Sequence, residues 1–307
     1  MLVALAIEAA MGWPDWLDRR IGHPVRWFGW LVTKLERASN RSTLPRGARI
    51  ALGVVAAVLL VTLAAAVAWA IDESLPTGLL GFAASAVIAS TLIATRSLHD
   101  HAAAVQHAFS ADDLSPARDA LSRIVGRKTA DLDEAAISRA AIESLAENTS
   151  DGVTAPIFWG VIFGLPGLFA YKAINTLDSM IGHRSEQYEA FGKAAARLDD
   201  AANLIPARLT GFLFALCSWS AHAVRVMLRD AKSHRSPNAG WPESAMAGAL
   251  SVRLSGPRSY GTTTSEEPWL NAKAGDATIA DLGRALSLYR LSMVSVAMML
   301  VGLGLAL

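Results

Sequence analysis

Three polar clusters in this chain carry the residue types that can hold a divalent cation and a phosphate, and each abuts an apolar stretch. The first lies in ENTSDGVTAP (147–156), where Glu147, Asn148 and Asp151 stand just before Pro156. Glu143 precedes Glu147 by four residues, so the two share a helix face, and Asp151 continues that face if the helix reaches it. Like charges at this spacing repel and invite a cation, and hard oxygen donors suit Mg2+; a solvated helix end is the alternative for this cluster taken alone. The second cluster is YKAINTLDSMIGHR (171–184), in which Lys172, Asn175 and Ser179 fall on one helical face with Asp178 beside Asn175. Ionisable groups at a membrane boundary are costly and usually functional. The third, AAARLDDAANLIPARLT (194–210), places Arg197, Asp199, Asp200 and Asn203 before an apolar segment that carries Arg208. Together the clusters predict one polar pocket at the bilayer surface where metal and phosphate are handled.

Other chemistries find less support. GRKT (126–129) lacks the earlier glycine of a phosphate-binding loop, and no nucleophile elbow or zinc pattern is present. His99, His101 and His107 do not have the i, i+4 spacing of a helical metal pair. The single Cys217 excludes an internal disulfide and reads as a small buried hydrophobe.

The elements that must position these clusters read as membrane helices. A hydrophobic fraction of 52% is too high for an ordinary soluble domain. Ile50–Ile71 runs apolar with Thr62 as its one clearly polar residue, long enough to cross the hydrocarbon core. Gly78–Ala94 and Leu291–Leu307 are shorter uncharged spans, and Met1–Trp13, which contains Glu8, is a membrane-dipping helix or a marginal span. Two further apolar segments cover 152–171, interrupted by GLPG, and 204–224. Whether 152–171 crosses fully or turns back at the Leu-Pro-Gly break stays open, with a broken helix favoured. Arg19, Arg20, Arg26, Lys34, Arg37, Arg41, Arg46 and Arg49 crowd the stretch before the first strong span, which places 14–49 in the cytoplasm and argues against a nucleic-acid surface. Residues 96–150 return to the cytoplasm as two amphipathic helices. One is capped by Ser115 and runs through Leu121, Ile124 and Val125 to Gly126; the other opens at Asp131. Residues 229–288 read as a polar loop region that includes SPNAGWPESAMAGAL. No repeat and no strand-like alternation persists. The fold class is therefore all-α: a single membrane-embedded domain over 1–307 with about five embedded helices plus amphipathic cytoplasmic ones.

Longer motifs carry a resemblance. HPVRWFGWLVTKLE (23–36), ALSRIVGRKTADLDEAAISRAAIESLAENTSDGVTAPIFW (120–159), GLPGLFAYKAINTLDSMIGHR (164–184), FGKAAARLDDAANLIPARLTG (191–211) and SPNAGWPESAMAGAL (236–250) closely resemble the adenosylcobinamide-phosphate synthase family of cobalamin biosynthesis, the CobD/CbiB family. The resemblance covers most of the chain in order. Trp13 and Lys128 depart from it, each standing where the family pattern carries an acid.

The resemblance implies a multi-pass enzyme of the cytoplasmic membrane whose site faces the cytoplasm. Its reaction would join adenosylcobyric acid to (R)-1-amino-2-propanol, or the O-phosphate of that amine, through an amide bond, with ATP as co-substrate and Mg2+ as cofactor. On that reading Glu147, Asp151 and Asp178 hold the metal and Lys172, with Asn175 beside it, meets the nucleotide phosphates. Asp199, Asp200 and Glu143 form the catalytic set, and Arg184 or Arg208 grips the aminopropanol phosphate. PNAGWPES would form a loop over the corrinoid, with Asn238 and Glu243 on its amide edge and Trp241 on its apolar surface. Two rivals make different demands. A prenyl- or CDP-alcohol transferase would show paired Asp motifs with internal spacing, and a transporter would show mid-span charges and inverted repeats. The sequence shows none of these.

Overall fold

The computed structural model describes every residue except 111, 184, 261, 262 and 307, with side chains also left aside at 15, 258–260 and 263–265. In chain order the helices are α1 (Leu2–Met11), α2 (Asp15–Ile21), α3 (Pro24–Ser39), α4 (Arg46–Ser74), α5 (Leu79–Ser90), α6 (Thr95–His107) and α7 (Ser115–Ser122). There follow α8 (Glu134–Thr149), a π-turn (Ser150–Thr154), α9 (Ala155–Ile181), α10 (Lys193–Ala202), α11 (Leu204–Cys217), α12 (Ala221–Asp230), α13 (Gly240–Leu250) and α14 (Ile279–Ala306). The described strands are short: β1 (Leu254–Ser255) pairs antiparallel with β4 (Trp269–Leu270), and β2 (Arg258–Tyr260) with β3 (Thr263–Ser265). The all-α expectation holds.

Four stretches are long and apolar enough to cross a membrane: Arg46–Ser74, Leu79–His107, Glu134–Ile181 and Ile279–Ala306; Leu2–Met11 and Leu204–Cys217 are shorter apolar helices. The chain is a multi-pass membrane protein, and Ile50–Ile71 forms the middle of α4 as expected. The 204–224 segment differs from its reading. It stops at Cys217, passes Trp219 in the left-handed region (φ 51), and restarts as amphipathic α12, where the Ser220 hydroxyl accepts from the Ala223 amide. A serine there competes for backbone hydrogen bonds and caps a new helix rather than continuing the old one.

The chain folds as two compact units, Met1–Ala94 with Ala155–Asn203, and Thr95–Thr154 with Leu204–Leu307. In the first unit α4 and α9 pack side by side with α10 against both, and α1 lies against α5. Within the 14–49 segment, α3 is laid along α4 and α9. Within α9, Gly164 takes a non-helical conformation (φ 64, ψ −151) two residues before Pro166. Proline has no N–H to give and its ring crowds the preceding turn, so the helix breaks, and glycine absorbs the break at little cost. The broken-helix reading of the Leu-Pro-Gly stretch holds. Gly53 lets α4 approach the chain at Phe191 so closely that a Cβ would collide with the Phe191 carbonyl.

In the second unit α8 departs from the amphipathic surface helix that its sequence suggests. Ile137, Ser138, Ala140, Ala141, Ile142, Glu143, Ser144, Leu145 and Ala146 are all buried, since small residues allow α6, α13 and α14 to close in on several sides. Its cap is Asp133, whose carboxylate accepts from the Ala136 amide at 2.8 Å, and not Asp131. The preceding helix α7 begins at Ser115 itself, with Asp113 accepting from the Ser115 amide, and ends at Ser122, short of Ile124 and Val125.

Candidate functional site

In the first unit α9 and α10 bring the second and third clusters together. The buried Tyr171 hydroxyl donates to Asn203 Oδ1 (2.9 Å), which turns the Asn203 amide nitrogen to donate to Asp199 Oδ2 (3.0 Å). Asp199 Oδ1 is shut off from solvent without a full hydrogen bond. Burial, and next the negative charge of Asp178, push the Asp199 carboxyl from its ordinary range up to about 7; Asn203 and Asn175 favour the charged form but are outweighed. Burial also raises the neighbouring Asp200, against the pull of Arg197 at 3.5 Å. Asp178 has room beside the helix end because residue 182 is glycine; a Cβ there would collide with its carboxylate. Lys172 is buried one and a half turns before Asp178 on the same helix. Its charge, after burial, holds down the pKa of His23, whose Nδ1 accepts from the Val25 amide at 3.2 Å and so caps α3.

The fold therefore gathers Asn175, Asp178, Asp199 and Asp200 into one neighbourhood, while the Lys172 charge, earlier on α9, acts on His23. Sequence reasoning misses His23 and Tyr171. The signal for His23 was a cap position directly before Pro24, which holds the imidazole at a helix start where one ring nitrogen is already engaged. The signal for Tyr171 was its place one residue before Lys172, on a helix buried deeply enough that its hydroxyl needs a partner.

The second unit holds the remaining residues. Glu143 is buried, with Oε1 accepting from the Ser255 amide (2.6 Å) and Oε2 3.7 Å from Arg127. This expected catalytic acid is thus engaged in anchoring β1, and Ser255 is held there with φ at 62. Glu147 is exposed at the end of α8, while Asp151 sits inside the π-turn. The helix runs on through the π-turn into α9, so the condition set for Asp151, that the helix reach it, is met. The loop expected over a corrinoid is instead the start of α13. The Ser236 hydroxyl accepts from the amides of Asn238 and Ala239, Pro242 falls in the first turn where proline is tolerated, and Asn238 and Glu243 are buried. Glu243 faces His234 at 3.7 Å. Trp241 lies under the Arg208 guanidinium, 4.5 Å from the ring centre, so that cation is stacked against its own unit. Arg184 lies outside the described residues.

Among the described residues no three His, Cys, Asp or Glu side chains gather as a metal cage. Mg2+ seldom needs one, because it is usually held by one or two carboxylates together with substrate phosphates and water. The Asp178 carboxylate, given room by Gly182 and with the negative charge of Asp200 acting on it, fits an ion held in that way.

A helical multi-pass protein with a buried acid cluster at helix ends is thus the class that fold and site define. The family model described as CobD/Cbib protein matches residues 1–289. Relatives named cobalamin biosynthesis protein CobD include one from Rhodobacter capsulatus at 54% identity over 98% of this chain and 95% of the relative. Others come from Brucella suis at 47% (94% and 90%) and from Rhizobium meliloti at 44% (94% and 91%). No solved structure matches significantly. The chain belongs to the CobD/CbiB family of cobalamin biosynthesis proteins.

Proposed function

We propose that the chain joins adenosylcobyric acid to (R)-1-amino-2-propanol or its O-phosphate at the expense of ATP, in the cytoplasmic membrane with its site open to the cytoplasm. The observation that carries this reading is the Asp199 carboxyl, buried beside Asp178 and titrating near neutrality. A group of that kind can take a proton from an ammonium and return it to solvent at working pH. A carboxylate is a poor acyl donor, so its oxygen must first become a leaving group. Transfer of the γ-phosphoryl group gives an acyl phosphate and ADP. The amine nitrogen then bonds to the carbonyl carbon, the carbon–oxygen bond to phosphate breaks, and phosphate departs.

Asp199 accepts the proton that the nitrogen loses, with Asn203 and Tyr171 fixing its orientation. Lys172 offers a positive charge to the phosphoryl oxygens, and His23, capped through Nδ1, offers its other ring nitrogen to the same region. Asp178 would hold Mg2+, which supplies charge neutralisation on the transferring phosphoryl group, and leaves Asp199 to carry the proton.

The test supplies purified protein with adenosylcobyric acid, Mg2+-ATP and either amine, and follows the amide and the nucleotide product by mass spectrometry. Amide formation with ADP and phosphate is the expected result. Absence of amide with both amines, from protein that remains folded, overturns the reading.

A further inference from the structure

In the first unit α3, α4 and α5 diverge around a cavity of about 390 Å3, within the ~300–1,000 Å3 of small-molecule sites. Trp13, Trp27, Phe28, Leu63, Val67 and Phe169 form most of its wall. Among the described residues no charged side chain lines it, and the hydroxyl of Thr91 is already spent on the Ile88 carbonyl (2.8 Å). Water would find no partners there, since a buried water needs two to four polar contacts. The cavity opens sideways, since its wall residues Trp27, Leu63 and Val67 are exposed, so a chain can enter it from the surrounding lipid.

Its depth indicates what fills it. The α4 wall, from Leu60 to Ile71, is the second half of the apolar run Ile50–Ile71, so the cavity lies at the level of the hydrocarbon core. The same helix presents Leu59, Leu63 and Val67 as exposed apolar surface, so the cavity adjoins a face that meets lipid. Its edge is a different environment. The indole nitrogen of Trp27 donates to the Ile21 carbonyl (2.8 Å) and ties the end of α2 to the start of α3. That corner gathers the exposed Arg19, Arg20 and Arg26, with Asp18 at 3.4 Å from Arg26, and exposes Trp16, Trp27 and Trp30. Tryptophan and arginine side by side on an amphipathic helix are the signature of a headgroup layer.

We infer that the cavity holds one acyl chain of an anionic phospholipid whose phosphate rests against the Arg19, Arg20 and Arg26 corner. The inference does not depend on the ligase reading, and a failure of one leaves the other standing. Native mass spectrometry of the full chain, exchanged into vesicle lipid of either phosphatidylglycerol or phosphatidylcholine and released in mild detergent, tests it. Wild type is expected to retain one phosphatidylglycerol and to keep phosphatidylcholine poorly. Ala64→Phe fills the cavity from its α4 wall and should retain about tenfold less. Should that variant not fold, Val67→Phe, a turn further along and at an exposed position, carries the same expectation. The triple variant Arg19→Gln, Arg20→Gln, Arg26→Gln should hold both lipids alike. Complete loss of lipid from wild type, equal retention by a folded cavity-filled variant, or equal retention of the two lipids by wild type overturns the inference.

Discussion

The Asp199 carboxyl of the first unit and the acids of the second lead opposite lives. In the second unit they meet cations or amides: Glu143 has Arg127 and the Ser255 amide, and Asp276 has Arg253 at 2.7 Å and Arg139 at 3.7 Å. Hydrogen bonds from Arg253 hold Asp276 below the usual carboxylate range, and at Asp230 the bonds from Arg229 and the Asn271 amide overcome burial to the same effect. In the first unit Asp199 stands beside Asp178 and Asp200, and among the described residues no cation forms an ion pair with it. Burial without a counter-charge raises a carboxyl, and burial with one does not. Paired acids secure the fold; an acid among acids is a candidate for the functional site.

The largest expected effect breaks the comparison at its active end. Asp199→Asn removes the proposed proton acceptor while keeping size and the link to Asn203, so amide formation should fall by about 10²- to 10⁴-fold with the melting temperature unchanged or raised. Asp178→Asn should do likewise if that carboxylate carries charge to the site. Steady-state ligation alongside thermal unfolding separates the two readouts, and full turnover in Asp199→Asn would assign the acid cluster to structure.

Next in size is a pH effect on stability. The folded-state pKa of Asp199 is raised, so its contribution is intact below the unfolded value near 4 and is lost progressively as pH climbs to about 7, with no further change above. A shift of that size corresponds to on the order of 4 kcal/mol. Wild type in detergent should therefore melt at lower temperature at pH 8 than at pH 5, Asp199→Asn should flatten that slope, and Mg2+ should recover part of the loss at pH 8. A wild-type profile that stays flat from pH 4 to 7 would contradict the environment described for Asp199.

The second unit should respond in the opposite sense. Arg127→Met leaves the buried Glu143 without its cation, and breaking a pair of this kind costs about 3 kcal/mol or more. Unfolding measured by denaturant or heat should show that loss, and the double variant Arg127→Met, Glu143→Leu should recover much of it, because a removed charge needs no partner. If the single variant is as stable as wild type, the contrast between the units weakens.

How far the sequence revealed this contrast depended on what each signal measures. Membrane spans were legible because length and hydropathy are properties of one segment. The meeting of Asp178 and Asp199 was legible because acid-and-amide groups flanked apolar helices on both sides. The Asp199–Asn203 bond follows from spacing of four on a helix. What stayed hidden was conditional on packing. Gly240 and Pro242 read as loop residues, yet at a helix start neither breaks anything. The π-turn at Ser150–Thr154 lies on a helix that hydropathy alone reads as regular. The pairing of Glu143 with Ser255 joins positions 112 residues apart, which no local pattern encodes.

The smallest expected effect tests whether second-unit acids are structural even where no charge is paired. Asp133 caps α8 through one hydrogen bond to the Ala136 amide at 2.8 Å. Asp133→Ala should cost about 1 kcal/mol, while Asp133→Asn, an equally good cap without the charge, should cost close to nothing. Asp131→Ala, at the position where sequence alone sets the helix start, should stay within about 0.5 kcal/mol of wild type, as surface changes away from caps usually do. Thermal unfolding that ranks Asp133→Ala well below Asp133→Asn, with Asp131→Ala level with wild type, would show that this acid works through geometry, as a helix cap. If Asp133→Asn were as damaging as Asp133→Ala, its charge would matter too, and acids of the second unit would differ from Asp199 in partner but not in kind.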